Sequence, residues 1–108
     1  MSETLRRVQT LVASGRVRIS DHGYDELAND DILAGEAVEG LSTAITVEEY
    51  PERERGLSVL TLQQDRMGRP IHVVWGIPKR NETIAVLVTA YRPDPASWDS
   101  EFKQRKRI

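Results

Sequence analysis

The sequence predicts an α+β fold in which N-terminal helices precede a four-stranded antiparallel meander and a short C-terminal helix. Apolar residues recur at helical spacing as far as Leu41, and from Thr43 onward they alternate. The connections between the alternating runs are short and polar, which makes consecutive hairpins the economical topology.

Leu5, Val8, Leu11 and Val12 place a first helix over residues 3–13, and Gly15 follows as a stop. Val17-Arg18-Ile19 is a short strand or an extended lead-in. Ser20 or Asp21 then caps a helix running to about Asn29, with Tyr24, Leu27 and Ala28 on its buried side. Asp30 or Asp31 caps the next helix, whose apolar stripe is Ile32, Leu33, Ala37, Val38 and Leu41. Strands are expected over 43–50, 57–64, 70–78 and 83–92. A last helix is expected after Pro93-Asp94-Pro95, anchored by Trp98 and Phe102. The 108 residues leave room for a single domain.

A final hairpin turning about Arg80-Asn81 pairs Ile71 with Ala90, Val73 with Val88, Trp75 with Val86 and Ile77 with Ile84. That face is wholly apolar. The opposite face pairs His72 with Thr89, Val74 with Leu87 and Gly76 with Ala85, and Tyr91 closes the row. His72 and Thr89 therefore form a polar pair on an apolar sheet, and both faces require some cover.

Composition narrows the function classes. The chain is 39% hydrophobic and 30% charged, as a folded globule is. No apolar run is long enough to span a bilayer, and the N-terminus lacks the apolar core of a signal peptide. There is no cysteine, and the two histidines lack nearby partners at metal-ligand spacing. A cytoplasmic protein without metal or cofactor is expected. Between Ile19 and Glu52 there are ten acids and no Lys or Arg; from Arg55 onward ten bases face five acids. This segregation suggests one surface for nucleic acid and another for a basic partner, or a solvated surface that happens to be divided.

Three stretches carry a resemblance. Ser20-Asp21-His22 opens a helix, and Arg69-Pro70-Ile71-His72-Val73-Val74 occupies a strand. Val88-Thr89-Ala90-Tyr91-Arg92-Pro93-Asp94 is followed by Trp98 and a basic end. Together they resemble the domain-of-unknown-function family 4258, from about Arg18 to Arg107. That family looks related to the RelE-like and BrnT-like toxins, compact α+β ribonucleases paired with antitoxins. The resemblance implies a metal-independent RNA-cleaving toxin held inactive by an antitoxin protein. The first family motif usually continues with a small residue after the histidine and a basic one four residues later, where Gly23 and Glu26 stand here. Glu26 removes a positive charge that could hold a phosphate. This favours the alternative, a non-catalytic interaction module that keeps the fold.

Metal-free RNA cleavage needs a base, an acid and a cation for the phosphate. His22, at a helix start, could be the base, or could merely cap the helix and bond a nearby carboxylate. His72 could serve from mid-strand with Thr89 supporting it, or could be a satisfied core histidine bonded to Thr89 or Tyr91. Tyr91 and Arg92 stand where the last strand ends and could clamp phosphate. Their side chains should point to opposite faces unless the strand twists or bulges after Ala90. Lys103, Arg105, Lys106 and Arg107 form a basic tail that could touch RNA. Trp75 is expected in the core and Trp98 as the anchor of the last helix. A homodimer joined through the outer strand, 43–50, is compatible with either function.

Overall fold

The structure, a computed structural model, describes residues 2–53 and 56–106. Arg107 of the basic tail lies outside the described residues. The first helix, α1 (Glu3–Ala13), starts where Ser2 Oγ accepts the Leu5 N–H at 3.0 Å. The same hydroxyl also bonds Glu49, which fastens the helix start to the outermost strand. Leu5 and Val8 are the residues α1 buries most deeply in the core. Val17–Ile19 forms a true strand, β1.

Helix α2 (Asp21–Asn29) is capped by Ser20, whose Oγ accepts the Gly23 N–H at 2.9 Å and donates to the Val88 carbonyl at 3.0 Å. A Cβ on Gly23 would stand 2.8 Å from the Leu87 carbonyl oxygen, so only glycine lets the helix lie this close to the sheet. That approach rotates α2 relative to expectation: Gly23 and Leu27 are buried, while Tyr24 is 55% exposed and Ala28 also faces out. Asp30 does not open the third helix. Its carboxylate accepts the Arg92 N–H at 2.7 Å instead, and α3 (Ala34–Glu39) begins after Leu33 without a side-chain cap. A 3₁₀ turn over Gly40–Thr43 then leads into the sheet.

The remaining strands are β2 (Ile45–Arg53), β3 (Gly56–Gln64), β4 (Pro70–Pro78) and β5 (Ala85–Tyr91). The sheet is five-stranded and mixed, in the order β1-β5-β4-β3-β2. The expected meander of four antiparallel strands is present, and β1 extends it by pairing in parallel with β5, Val17 beside Ala85 and Ile19 beside Leu87. Both β1 and β2 are edges, as the dimer expectation requires of the outer strand.

The β4–β5 register corrects the sequence reading. Gly76 pairs with Val86 rather than Ala85, because the hairpin loop is one residue longer. A bulge then leaves Val88 between the Trp75–Leu87 and Val74–Thr89 pairs, adding a second residue. The two shifts sum at the far end, so His72 pairs with Tyr91 and Val74 with Thr89. Between them the parity of β5 reverses: Ala85 and Leu87 turn to the core with Ala90, whereas Val86 turns away.

Helices cover the face formed by Ile71, Val73, Trp75 and Ile77, all of them buried with Leu27, Ala37 and Leu41. One polar network serves this core. Trp75 Nε1 donates to Gln63 Oε1 at 2.9 Å, and Gln63 Nε2 donates to the Ala37 carbonyl at 2.7 Å. No helix in the described residues is long and apolar enough to cross a membrane.

The expected C-terminal helix is absent among the described residues. Residues 92–106 form turns and irregular backbone closed by a bridge between Trp98 and Arg105. Asp94 and Asp99 explain this, because their carboxylates take backbone N–H groups: Asp94 from Ala96, and Asp99 from Glu101 and Lys103. Such local bonds compete directly with helix. The resulting strap crosses the sheet face opposite the helices.

Candidate functional site

His72 lies on that opposite face and is fully buried beneath the strap. Its Nε2 is 2.8 Å from the Phe102 carbonyl oxygen and must donate to it. Nδ1 is then the acceptor, facing the Tyr91 hydroxyl at 3.3 Å. Trp98 stands edge-on to the imidazole with ring centroids 4.5 Å apart, and Tyr91 does the same at 5.3 Å. Burial is the main influence on His72 and pushes its pKa below the ordinary histidine value, so the ring is neutral. Burial likewise raises the Tyr91 phenol.

Beside this cluster, β2 contributes Glu48 and Tyr50, which the sequence reading did not single out. Arg105 of the strap donates to Glu48 through Nε at 2.8 Å and through a terminal nitrogen at 3.2 Å. Its guanidinium also lies 4.7 Å over the Trp98 ring. The side chain nevertheless remains 61% exposed. Tyr50 donates to Oε1 of the same carboxylate at 2.8 Å, the oxygen that also accepts from the Arg105 terminal nitrogen. The Arg105 bonds lower the Glu48 pKa, while burial and the adjacent carboxylate push Tyr50 up to about 12. A carboxylate, a firmly protonated phenol and an exposed guanidinium thus stand together. The available signal was the spacing: Glu48 and Tyr50 are two apart on a strand, hence on one face.

The other expected site residues are dispersed. His22 is 65% exposed and faces Glu26 at 3.6 Å, the carboxylate contact considered for a capping histidine; its partners do not overlap those of His72. Arg92 is engaged by Asp65 at 2.9 Å, and Arg69 bonds the same carboxylate at 3.0 Å. Tyr91 and Arg92 therefore diverge, Tyr91 toward His72 and Arg92 toward Asp65, and the one bulge in β5 precedes Ala90 rather than following it. Thr89 is half-buried beside Val74, one row from His72. Of the basic tail, Arg105 belongs to the His72 cluster, whereas Lys103 and Lys106 are exposed.

The same face carries a groove of about 650 Å³ at its other end. Its floor includes Val74, Gly76, Val86 and Val88, and its rim includes Arg18, Lys79 and Arg80.

Comparison with curated proteins gave no match, and comparison with solved structures gave none either. A family model for a domain of unknown function, DUF4258, matches residues 19–92. The match takes in the last residue of β1 and everything from α2 through β5, and it ends where the strap begins, so Trp98 and Arg105 lie outside it, contrary to the longer span expected. The chain belongs to the DUF4258 family.

Proposed function

We propose that the protein is a metal-independent endoribonuclease of the toxin type, acting at the seam between strap and sheet and restrained by an antitoxin protein. The observation that carries this reading is Arg105: fixed by Glu48 and Trp98, yet 61% exposed, it is a preorganised cation for a phosphate. A phosphate that draws the guanidinium's hydrogen bonds removes the contact that holds the Glu48 pKa down, which makes Glu48 a stronger base. Glu48 then takes the proton of an RNA 2′-hydroxyl, and the 2′-oxygen attacks the phosphorus to give a 2′,3′-cyclic phosphate. The departing 5′-oxygen takes its proton from Tyr50. The hydrogen bond between Tyr50 and Glu48 returns the first proton to the phenol, so the cycle closes. His72 and Tyr91 act here as positioning residues, holding the strap that presents Arg105.

One observation favours the second reading, a non-catalytic interaction module. His72 has both ring nitrogens engaged and no exposure, so it reaches no substrate in this arrangement. Expression of the chain alone in a bacterial host separates the two. The toxin reading expects growth arrest that Glu48→Gln relieves; the module reading expects normal growth for both and a stable complex with a partner protein.

A further inference from the structure

The groove at the other end of the open face has an unusual charge balance. The chain as a whole has 17 acids against 15 bases, yet the described groove lining holds Arg18, Lys79 and Arg80 and no carboxylate. None of these three has an ion-pair partner among the described residues, whereas Arg7, Arg66, Arg69, Arg92 and Arg105 all do. Cations left unpaired around an apolar floor are open to an anionic ligand.

The layout favours a chain of phosphates over a single small anion. Arg18 and Gly76 flank Val86 from opposite sides, two strand spacings apart, or about 10 Å. Lys79 lies three residues beyond Gly76 on the β4 side. The charges therefore border the floor on two sides rather than converging on one point. Ser58 adds a hydroxyl, and the absent side chain of Gly76 keeps the floor flat between Val86 and Val74. Guanidinium planes beside an apolar floor can also stack with bases.

We infer that this groove is a strand-tracking subsite for single-stranded RNA, contacting nucleotides upstream or downstream of the seam where Arg105 stands. The inference rests on the ribonuclease reading for its substrate class but is tested separately from it. His72 and Gly76 are four residues apart on β4, about 13 Å. At roughly 3.4 Å per stacked nucleotide, about four nucleotides connect the two places. The site thereby requires a minimum substrate length and reads no sequence, since the groove offers backbone contacts and a neutral floor.

The test uses a fluorescein-labelled 2′-O-methyl oligoribonucleotide, which binds but lacks the hydroxyl needed for cleavage. Fluorescence anisotropy should show a 12-mer binding at least about tenfold more tightly than a 3-mer. Arg18→Ala and Arg80→Ala should each weaken the 12-mer about three- to tenfold, and each should flatten the log–log salt dependence by about 0.7. Arg66→Ala, away from the groove, should stay within about twofold. Thermal melts confirm that each variant is folded. Wild-type binding by both groove variants overturns the inference, even if the protein cleaves RNA. Tighter binding of an oligoglutamate peptide than of the 12-mer also overturns it, in favour of an acidic protein ligand. Groove-dependent binding without any cleavage of ordinary RNA sinks the ribonuclease reading and leaves the subsite standing.

Discussion

The imidazole of His72 donates to the carbonyl oxygen of Phe102 at 2.8 Å, joining the first half of β4 to a segment 30 residues further along the chain. Through this bond and the Trp98 contact, a buried histidine holds down the strap that carries Arg105.

Acid should loosen this attachment. Burial keeps the folded His72 pKa below the unfolded value, so between the two the unfolded chain binds more protons. The stabilisation is complete at neutral pH and declines as pH falls below about 6.5. Melting temperature measured from pH 7.5 to 5 should drop more steeply for the wild type than for His72→Gln. Parallel curves would exclude this role.

Gly23→Ala should destabilise the fold by about 1–3 kcal/mol, because the new methyl meets the Leu87 carbonyl at 2.8 Å. At an unconstrained helix position the same change commonly stabilises by up to about 1 kcal/mol. Urea midpoints therefore decide by sign alone whether α2 rests on β5 as described.

Trp75→Phe keeps most of the buried volume but removes the indole N–H that Gln63 accepts at 2.9 Å. The expected cost is about 1–3 kcal/mol, against about 3–5 kcal/mol for Trp75→Ala. A Trp75→Phe variant as stable as the wild type in chemical denaturation would show that the hydrogen bond contributes nothing.

Asp65 is the hub for Arg69 and Arg92. Burial alone would raise its pKa, but hydrogen bonds from the Arg69 and Met67 backbones and from Arg92 bring it to about 2. Its contribution is therefore present above the ordinary carboxylate pKa and disappears as pH falls through about 2. Asp65→Asn should lower the melting temperature at pH 7 and remove that part of the acid transition.

Much of this architecture was legible in the sequence. Helical spacing locates α1, a cap at Ser20 or Asp21 locates the start of α2 to within one residue, and alternation locates β4 to the residue. The rotation of α2 was hidden, because the apolar stripe pointed to Tyr24 while the decisive contact belongs to Gly23, whose lack of a side chain leaves no hydrophobic signal. The β4–β5 register is hidden for a related reason. A bulge at Val88 keeps alternation apparently intact while changing which residues face inward. His72 and Tyr91 were recognised as neighbours on one face, but their strap was not, since the bonds that fold it run from two aspartates to backbone groups. Glu48 and Tyr50 meet Arg105 only through tertiary pairing, 57 residues apart in sequence for Glu48, and no local pattern marks such a meeting.

Metal-free cleavage centred on Arg105 is tested most directly by incubating the purified protein with single-stranded RNA in excess EDTA and following 2′,3′-cyclic phosphate ends. Wild-type protein should generate them, and Arg105→Ala should lower the rate by about 10²–10³ while remaining folded. Absence of cyclic ends, or an undiminished rate in Arg105→Ala, would contradict the account.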